Sequence, residues 1–280
     1  MTGLRLALLL LAAVAAAPLH AAEPVDALRL YVFDCGRIQF DDMGMYADTG
    51  EYDGQAGELV ASCFLIRHPK GDLLWDTGLG DALAELPVGT RTDDGERTIV
   101  TRTLQSQLRE VGVAPDEVEY IAFSHFHWDH TGNANAFAES TWLLSRREVD
   151  AMEGEPRPIG VRRENLAAYK QAKVELIDLD RDVFGDGSVR VLRASGHTAG
   201  HQVLMLELPK AGTVILSGDL YHTRGNYENG RVPMFNHSRG ETLGSFDRVR
   251  RLLENTGGRL VIQHEPKDIA ALPKAPAYLE

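Results

Sequence analysis

Cysteine is nearly absent from this chain, with only Cys35 and Cys63 among 280 residues. That excludes a disulfide-built scaffold, and the lack of a CxxC pair or Cys–His neighbour excludes a cysteine-based zinc or redox motif. Both cysteines fall in strand-like segments. Two buried free thiols are the expectation, with pairing in an oxidising compartment as the alternative. Basic charge is also short: 29 Lys and Arg against 41 Asp and Glu leave a formal net charge of −12. With no Lys/Arg run and no Arg–aromatic platform, no nucleic-acid partner is expected, because phosphate binding needs a basic face. No low-complexity linker breaks the chain, and no serine or cysteine sits in a nucleophile motif. Long apolar runs are confined to Leu6–Ala16, behind Arg5 and ahead of Pro18-Leu19-His20-Ala21-Ala22. That order of charge, apolar stretch and small residues marks 1–22 as a signal peptide. The run is too short to span a bilayer in a mature protein. The expectation is export, to the periplasm in a Gram-negative cell and otherwise to the medium, with no stable membrane anchor after cleavage. Residues 23–280 then fit one domain large enough to bury its own core.

What the chain does have is Ser124-His125-Phe126-His127-Trp128-Asp129-His130-Thr131-Gly132, three imidazoles and a carboxylate within six residues. Imidazole is the commonest protein ligand for zinc-like ions, and the carboxylate adds a hard anionic donor. In extended backbone His125, His127 and Asp129 point to one side. His130 would point away unless the chain turns, and Thr131-Gly132-Asn133 supplies residues that accept such a turn. The competing reading is a surface histidine tract. Against it, the motif directly follows the apolar run Val118–Phe123, which reads as a buried strand.

The same arrangement recurs. The strand-like segment Val189-Arg190-Val191-Leu192 leads to Gly196-His197-Thr198-Ala199-Gly200-His201. Thr213–Leu216 leads to Gly218-Asp219, and Leu260–Ile262 leads to Gln263-His264. Four apolar strands thus each exit into a candidate ligand, and strands ending at one edge bring their exits together. Leu59–Ile66 and Leu73–Trp75 read as a hairpin across Pro69-Lys70-Gly71, with Asp76 at its exit. Asp76 either orients a ligating histidine or caps a turn. Gly36–Gly57 reads as a long loop in which Met43, Met45, Tyr46 and Tyr52 offer an adaptable apolar lining, the alternative being a mobile solvent loop. Helical spacing covers Ile99–Val111, Glu164–Ala172 and Leu243–Leu253, and a further helix is expected over Glu148–Met152. The fold class is α/β, with two packed sheets and helices outside.

Taken together, Asp76-Thr77-Gly78, His125-x-His127-x-Asp129-His130, Gly196-His197, Gly218-Asp219 and His264 resemble the metallo-β-lactamase fold superfamily, and within it most closely the N-acyl-homoserine lactonases. The resemblance runs from about Leu28 to the C-terminus. It implies a four-layer αββα sandwich and two divalent ions, usually zinc. His125, His127 and His197 would hold the first ion, Asp129, His130 and His264 the second, and Asp219 would bridge them. The implied reaction opens a lactone ring by attack of a metal-bridging hydroxide, with Asp129 passing a proton to the leaving alkoxide. The implied partner is a small-molecule lactone or ester. His201 is outside the ligand pattern and suits a supporting role.

Two departures stand out. Where well-known lactonases carry a tyrosine three residues after the bridging aspartate, this chain has His222, preceded by Tyr221; either would contact substrate, or His222 merely lines the pocket. Gln263-His264-Glu265 replaces the usual Gly-His-Asp. Rival readings are an exported β-lactamase, which the bridging carboxylate Asp219 disfavours, and an ester or organophosphate hydrolase using the same core. A glutathione-thioester hydrolase is disfavoured because no basic helical domain follows His264. The non-enzymatic alternative is a metal-binding protein that kept the fold.

Overall fold

Short runs apolar on both faces form strands that must be covered on both sides, and the chain stacks two sheets of them. The computed structural model describes residues 24–86, 90–91 and 95–280. The signal peptide expected over 1–22 lies outside the described residues. The larger sheet contains β1 (Arg29–Phe40), β2 (Gly57–His68), β3 (Gly71–Trp75), β4 (Thr90–Arg91), β5 (Glu96–Ile99), β6 (Tyr120–Ala122), β7 (Thr141–Ser145) and β8 (Lys173–Ile177). Its order is β4-β5-β1-β2-β3-β6-β7-β8, antiparallel as far as β3 and parallel from β3 to β8. The smaller sheet has β9 (Arg181–Asp182), β10 (Val189–Arg193), β11 (Gln202–Leu208), β12 (Gly212–Leu216) and β13 (Arg259–Val261). These run in the order β13-β12-β11-β10-β9, with only the β12–β13 pair parallel.

Alternation on β1 shows how the layers form. Leu30 and Val32 face inward with Phe64, Ile66 and Trp75, against Val191, Leu204, Leu206 and Leu216 of the smaller sheet. Tyr31 and Phe33 face the other way, with Leu65, Leu74 and Trp142, under α1 (Leu104–Glu110) and, past the short helix α2 (Trp128–Thr131), α3 (Arg146–Glu153). After α4 (Arg224–Asn229), the long α5 (Arg239–Thr256) covers the outer face of the smaller sheet through Phe246, Val249 and Leu253. A short α6 (Pro266–Ala270) follows the last strand. The architecture is the expected αββα sandwich. No helix among the described residues is long and apolar enough to cross a membrane.

Three sequence expectations need correction. The loop expected from Gly36 begins only after Phe40, because a bulge between Asp34 and Arg37 lets β1 continue and pair with β5. Ile99 therefore ends a strand rather than opening a helix. Helix α1 starts five residues later, where the Thr103 hydroxyl accepts the Ser106 N–H at 3.1 Å. The helix expected over Glu164–Ala172 is a kinked 3-10 segment, Arg163–Lys170, broken at Leu166.

The cysteines depart from expectation more sharply. Cys35 and Cys63 are not free thiols but a disulfide, with Cα atoms 5.9 Å apart. Cys63 lies opposite Phe33 on the neighbouring strand, so Cys35 is its diagonal neighbour on the same face. The pair sits directly beneath the turn that follows β3: a Cβ on Gly78 would meet the Cβ of Cys35 at 2.2 Å.

Candidate metal centre

β6 is buried by its apolar residues, and the chain leaves it at Phe123 carrying polar side chains that the strand end holds rigidly. His127 lies in extended backbone at the position just before α2, so the turn expected at Thr131-Gly132-Asn133 begins earlier, at Trp128. Asp129 and His130 therefore sit in the first turn of a helix. The helix fits only because Gly132 lacks a side chain: a Cβ there would stand 2.2 Å from the backbone of Leu79. Exits of β10, β12 and β13 bring His197, Asp219 and His264 to the same place. Gly218, with φ of +50°, allows the turn into Asp219, and a Cβ on it would strike Ser124 and His201.

All seven side chains converge as two groups. Donor atoms of His125, His127, His197 and Asp219 lie within 4.8 Å of one another, as do those of Asp129, His130 and His264. Asp219 straddles them. Its Oδ2 is 3.6 Å from Nε2 of His125 and 3.4 Å from Nε2 of His197, while Oδ1 is 3.0 Å from Nε2 of His130 and 2.9 Å from Nε2 of His264. Asp129 Oδ2 completes the second group, 3.5 Å from His130 and 3.4 Å from His264.

The outward nitrogens show which atoms remain for a cation. His130 Nδ1 donates to Asp76 Oδ2 at 2.9 Å, and His264 Nδ1 donates to the carbonyl of Val60 at 2.7 Å. Because a carboxylate and a carbonyl only accept, both rings keep an Nε2 lone pair aimed inward. His125 Nδ1 shares a hydrogen bond with Ser124 Oγ at 3.0 Å, which turns its Nε2 inward as well. Nε2 of His197 approaches Nε2 of His125 and Nδ1 of His127 at 3.2 Å each, and Nε2 of His130 approaches that of His264 at 3.1 Å. Asp219 Oδ1 is buried with no hydrogen-bond partner. Lone pairs crowded against lone pairs around an orphaned carboxylate oxygen are repulsive unless a cation sits among them. The residues fit divalent metal ions, with nitrogen and oxygen donors suited to zinc-like ions.

Protonation follows from burial and charge. Burial pushes the imidazoles of His125 and His197 well below their ordinary pKa, and that of His127 down to about 4, so their nitrogens are free to ligate. Burial also works against charge on His130 and His264, but the neighbouring carboxylates, Asp219 foremost, overcome it and raise both. Burial alone would raise the Asp219 carboxyl; the imidazoles of His264 and His130 hold it well below the usual carboxylate range. His201 is not among the donors. Its Nε2 accepts the backbone N–H of Asp219 at 2.9 Å and its Nδ1 donates to the carbonyl of Ala194 at 3.0 Å.

Asp76 resolves the two readings left open for it: it orients a histidine. Its Oδ1 accepts the Ser124 N–H at 2.7 Å while Oδ2 holds His130. Among the described residues it is the only non-glycine with positive φ, at +57°. That conformation costs on the order of 1 kcal/mol and persists because the surrounding bonds fix it.

A cavity of about 780 Å³ opens over the donors. One wall is apolar, built from Ile38, Phe40, Leu59, Trp128, Met234 and Phe235, and Met45 and Tyr46 of the expected loop join it; Met43 packs inward instead, and Tyr52 bonds Thr223. His222 faces this cavity, with Nε2 3.0 Å from Asp219 Oδ2 and its ring 5.0 Å from that of Tyr46. Tyr221 does not. In extended backbone, neighbours point to opposite sides, so Tyr221 turns into the layer beneath α5 and stacks on Phe246 at 4.4 Å. It is fully buried and does not line the cavity, contrary to the expectation of a substrate contact.

Sequence reading missed Glu148, whose carboxylate accepts the N–H of Phe126 at 3.2 Å and of Gly200 at 2.6 Å, joining the loops that carry His125, His127 and His197. Burial raises its pKa against those bonds. Its one visible signal was an acidic residue on the inner face of an amphipathic helix.

Fold and donor set define a metallohydrolase. The chain belongs to the metallo-beta-lactamase superfamily, whose family model matches residues 56–264, and it is a hydrolase of that superfamily. It is 28% identical to the N-acyl homoserine lactonase AttM of Azorhizobium caulinodans, covering 90% of this chain and 99% of that one. Identity to the N-acyl homoserine lactonase AiiA of Bacillus thuringiensis subsp. kurstaki is 25%, over 90% and 98%. Among solved structures, a B. thuringiensis AiiA variant with N-decanoyl-L-homoserine bound at its active site superposes with a TM-score of 0.78 at 24% identity, covering 91% of this chain and all of that one. AidC, a dizinc quorum-quenching lactonase in complex with a product, gives 0.66 at 18%, over 91% and 95%.

Proposed function

We propose that this protein is a dinuclear, zinc-dependent lactonase that opens the ring of N-acyl homoserine lactones, and so acts in quorum quenching. The single observation that carries the reading is Asp219, one carboxylate facing both donor groups through different oxygens. Curated relatives over nine-tenths of the chain are N-acyl homoserine lactonases.

His125, His127 and His197 would hold one ion and Asp129, His130 and His264 the other, with Asp219 shared. Two such ions, when bound, supply an activated water and polarise an ester carbonyl. The chain's own residues do the rest. Asp129, which lines the cavity beside Trp128, receives the proton at its carboxylate and returns it to the ring oxygen as that oxygen leaves. His222 faces the reacting carbonyl, taking the place of the tyrosine of well-known lactonases. The wall of Phe40, Trp128, Met234 and Phe235 receives the acyl chain and excludes water from it.

Export is part of the proposal. It is supported by the charge and apolar pattern of residues 1–22 and by the Cys35–Cys63 disulfide, a bond that persists in oxidising compartments.

The test is kcat/KM across acyl homoserine lactones, simple γ-lactones, aryl esters and a chromogenic cephalosporin. Acyl homoserine lactones are expected to lead by at least about tenfold, a difference of about 1.4 kcal/mol in transition-state binding. Preference for aryl esters would favour a general esterase, and preference for the cephalosporin would overturn the lactonase assignment.

A further inference from the structure

Gln263 occupies the position where the resembling lactonases carry glycine, and nothing in the ligand pattern calls for an amide there. Its side chain is nevertheless buried and bonded on both ends. Oε1 accepts the indole N–H of Trp75 and the backbone N–H of Gly218, both at 2.8 Å. Nε2 donates to Oδ2 of Asp76 at 2.8 Å. The partners fix the orientation of the amide, since an indole and a peptide N–H only donate, so the oxygen faces them and the nitrogen faces Asp76. Trp75, Gly218 and Gln263 are each the residue immediately before a member of the centre: Asp76, Asp219 and His264. One amide thus ties together three strand exits, reaching across 45 residues of sequence to Gly218 and 188 to Trp75.

We propose that Gln263 is a positioning residue for the Asp129–His130–His264 half of the centre, acting through Asp76. The Asp76 oxygen that takes Gln263 Nε2 is the one that holds His130 Nδ1. A carboxylate oxygen held by both an amide and an imidazole has little freedom to move, so it fixes the direction of the His130 ring and with it the direction of Nε2 toward the second ion. Gln263 is neutral, so it does this without adding charge to the donor set. The other half of the centre has an anchor of its own in Glu148, which holds the loops carrying His125, His127 and His197. This inference rests on the two-ion reading above, but not on the substrate.

The experiment is graded removal of zinc from the zinc-loaded full-length protein by a competing chelator. It compares the parent with Gln263→Met, which fills the space, and Gln263→Ala, which leaves room for the loops to relax. His264→Ala identifies which dissociation step belongs to the second ion. The expected result is a second ion bound roughly 10- to 100-fold more weakly in both Gln263 variants, with the first ion within about threefold of the parent. In the Asp76→Asn background, Gln263→Met should add little further loss, because the path through Asp76 is already cut. Unchanged binding of both ions would overturn the proposal. So would equal weakening of both, which marks general loosening, or full additivity with Asp76→Asn. A parent that binds only one ion would refute the two-ion reading and this inference with it, whereas failure to hydrolyse lactones would touch only the substrate assignment.

Discussion

Oδ2 of Asp76 stands 2.9 Å from Nδ1 of His130, and this contact joins the end of β3 to the first turn of α2 across 54 residues of sequence. It sets the tautomer of a buried imidazole and requires Asp76 to hold a backbone conformation that most residues avoid. Asparagine tolerates the same backbone but cannot offer two acceptor oxygens. Asp76→Asn should therefore remain folded by circular dichroism while losing metal. The expected weakening of the second ion is roughly 10- to 100-fold, read by chelator competition.

His222 separates a contact with substrate from mere lining. If its imidazole faces the reacting carbonyl, His222→Phe should lower kcat/KM for acyl homoserine lactones by roughly 10- to 100-fold, as loss of one polar contact to the transition state does. Zinc content, measured by elemental analysis, should stay at the parental level. His222→Tyr should recover most of the loss. Full activity in His222→Phe would reduce His222 to lining.

Stability should depend on the Cys35–Cys63 bond, which closes a segment with a sequence separation of 28. Chain entropy alone assigns such a loop about 3–4 kcal/mol. Cys35→Ser with Cys63→Ser should accordingly lower the melting temperature by roughly 5–15 °C. The bond lies under the Asp76-Thr77-Gly78 turn, so metal retention near the melting point should fall as well.

Far from the centre, Asp72 predicts a pH effect. Burial raises its carboxyl to about 6, despite the guanidinium of Arg67 bonded to it at 3.1 Å. A raised folded-state pKa means that the folded chain holds this proton more tightly than the unfolded chain. Its contribution is complete below the ordinary carboxylate pKa near 4 and is lost as pH rises through about 6. Thermal melts between about pH 4 and 7 should show a downward slope from this group in the parent. Asp72→Asn, which resembles the neutral acid, should flatten it.

Much of this was legible because the informative features are local. Short apolar runs defined β2, β7 and β10 to β12, and His125 to His130 declared metal chemistry within six residues. The features that sequence reading missed depend on contacts between distant segments. The bulge that carries β1 to Phe40, and the register that sets Cys35 diagonal to Cys63, are visible only once β2 is paired. Which of Tyr221 and His222 faces the cavity depends on where α5 lies. Glu148 and Gln263 bond to backbone and side chains far away in sequence, and no local pattern announces that. A hint existed for Gln263: a polar amide ends an otherwise apolar strand, immediately before a ligating histidine.

Turnover of an N-acyl homoserine lactone, followed against zinc bound per chain, tests the central claim most directly. Metal-stripped protein should be inactive, activity should rise as the ions return, and full rate should require about two per chain. Undiminished lactone hydrolysis after exhaustive chelation would contradict the account.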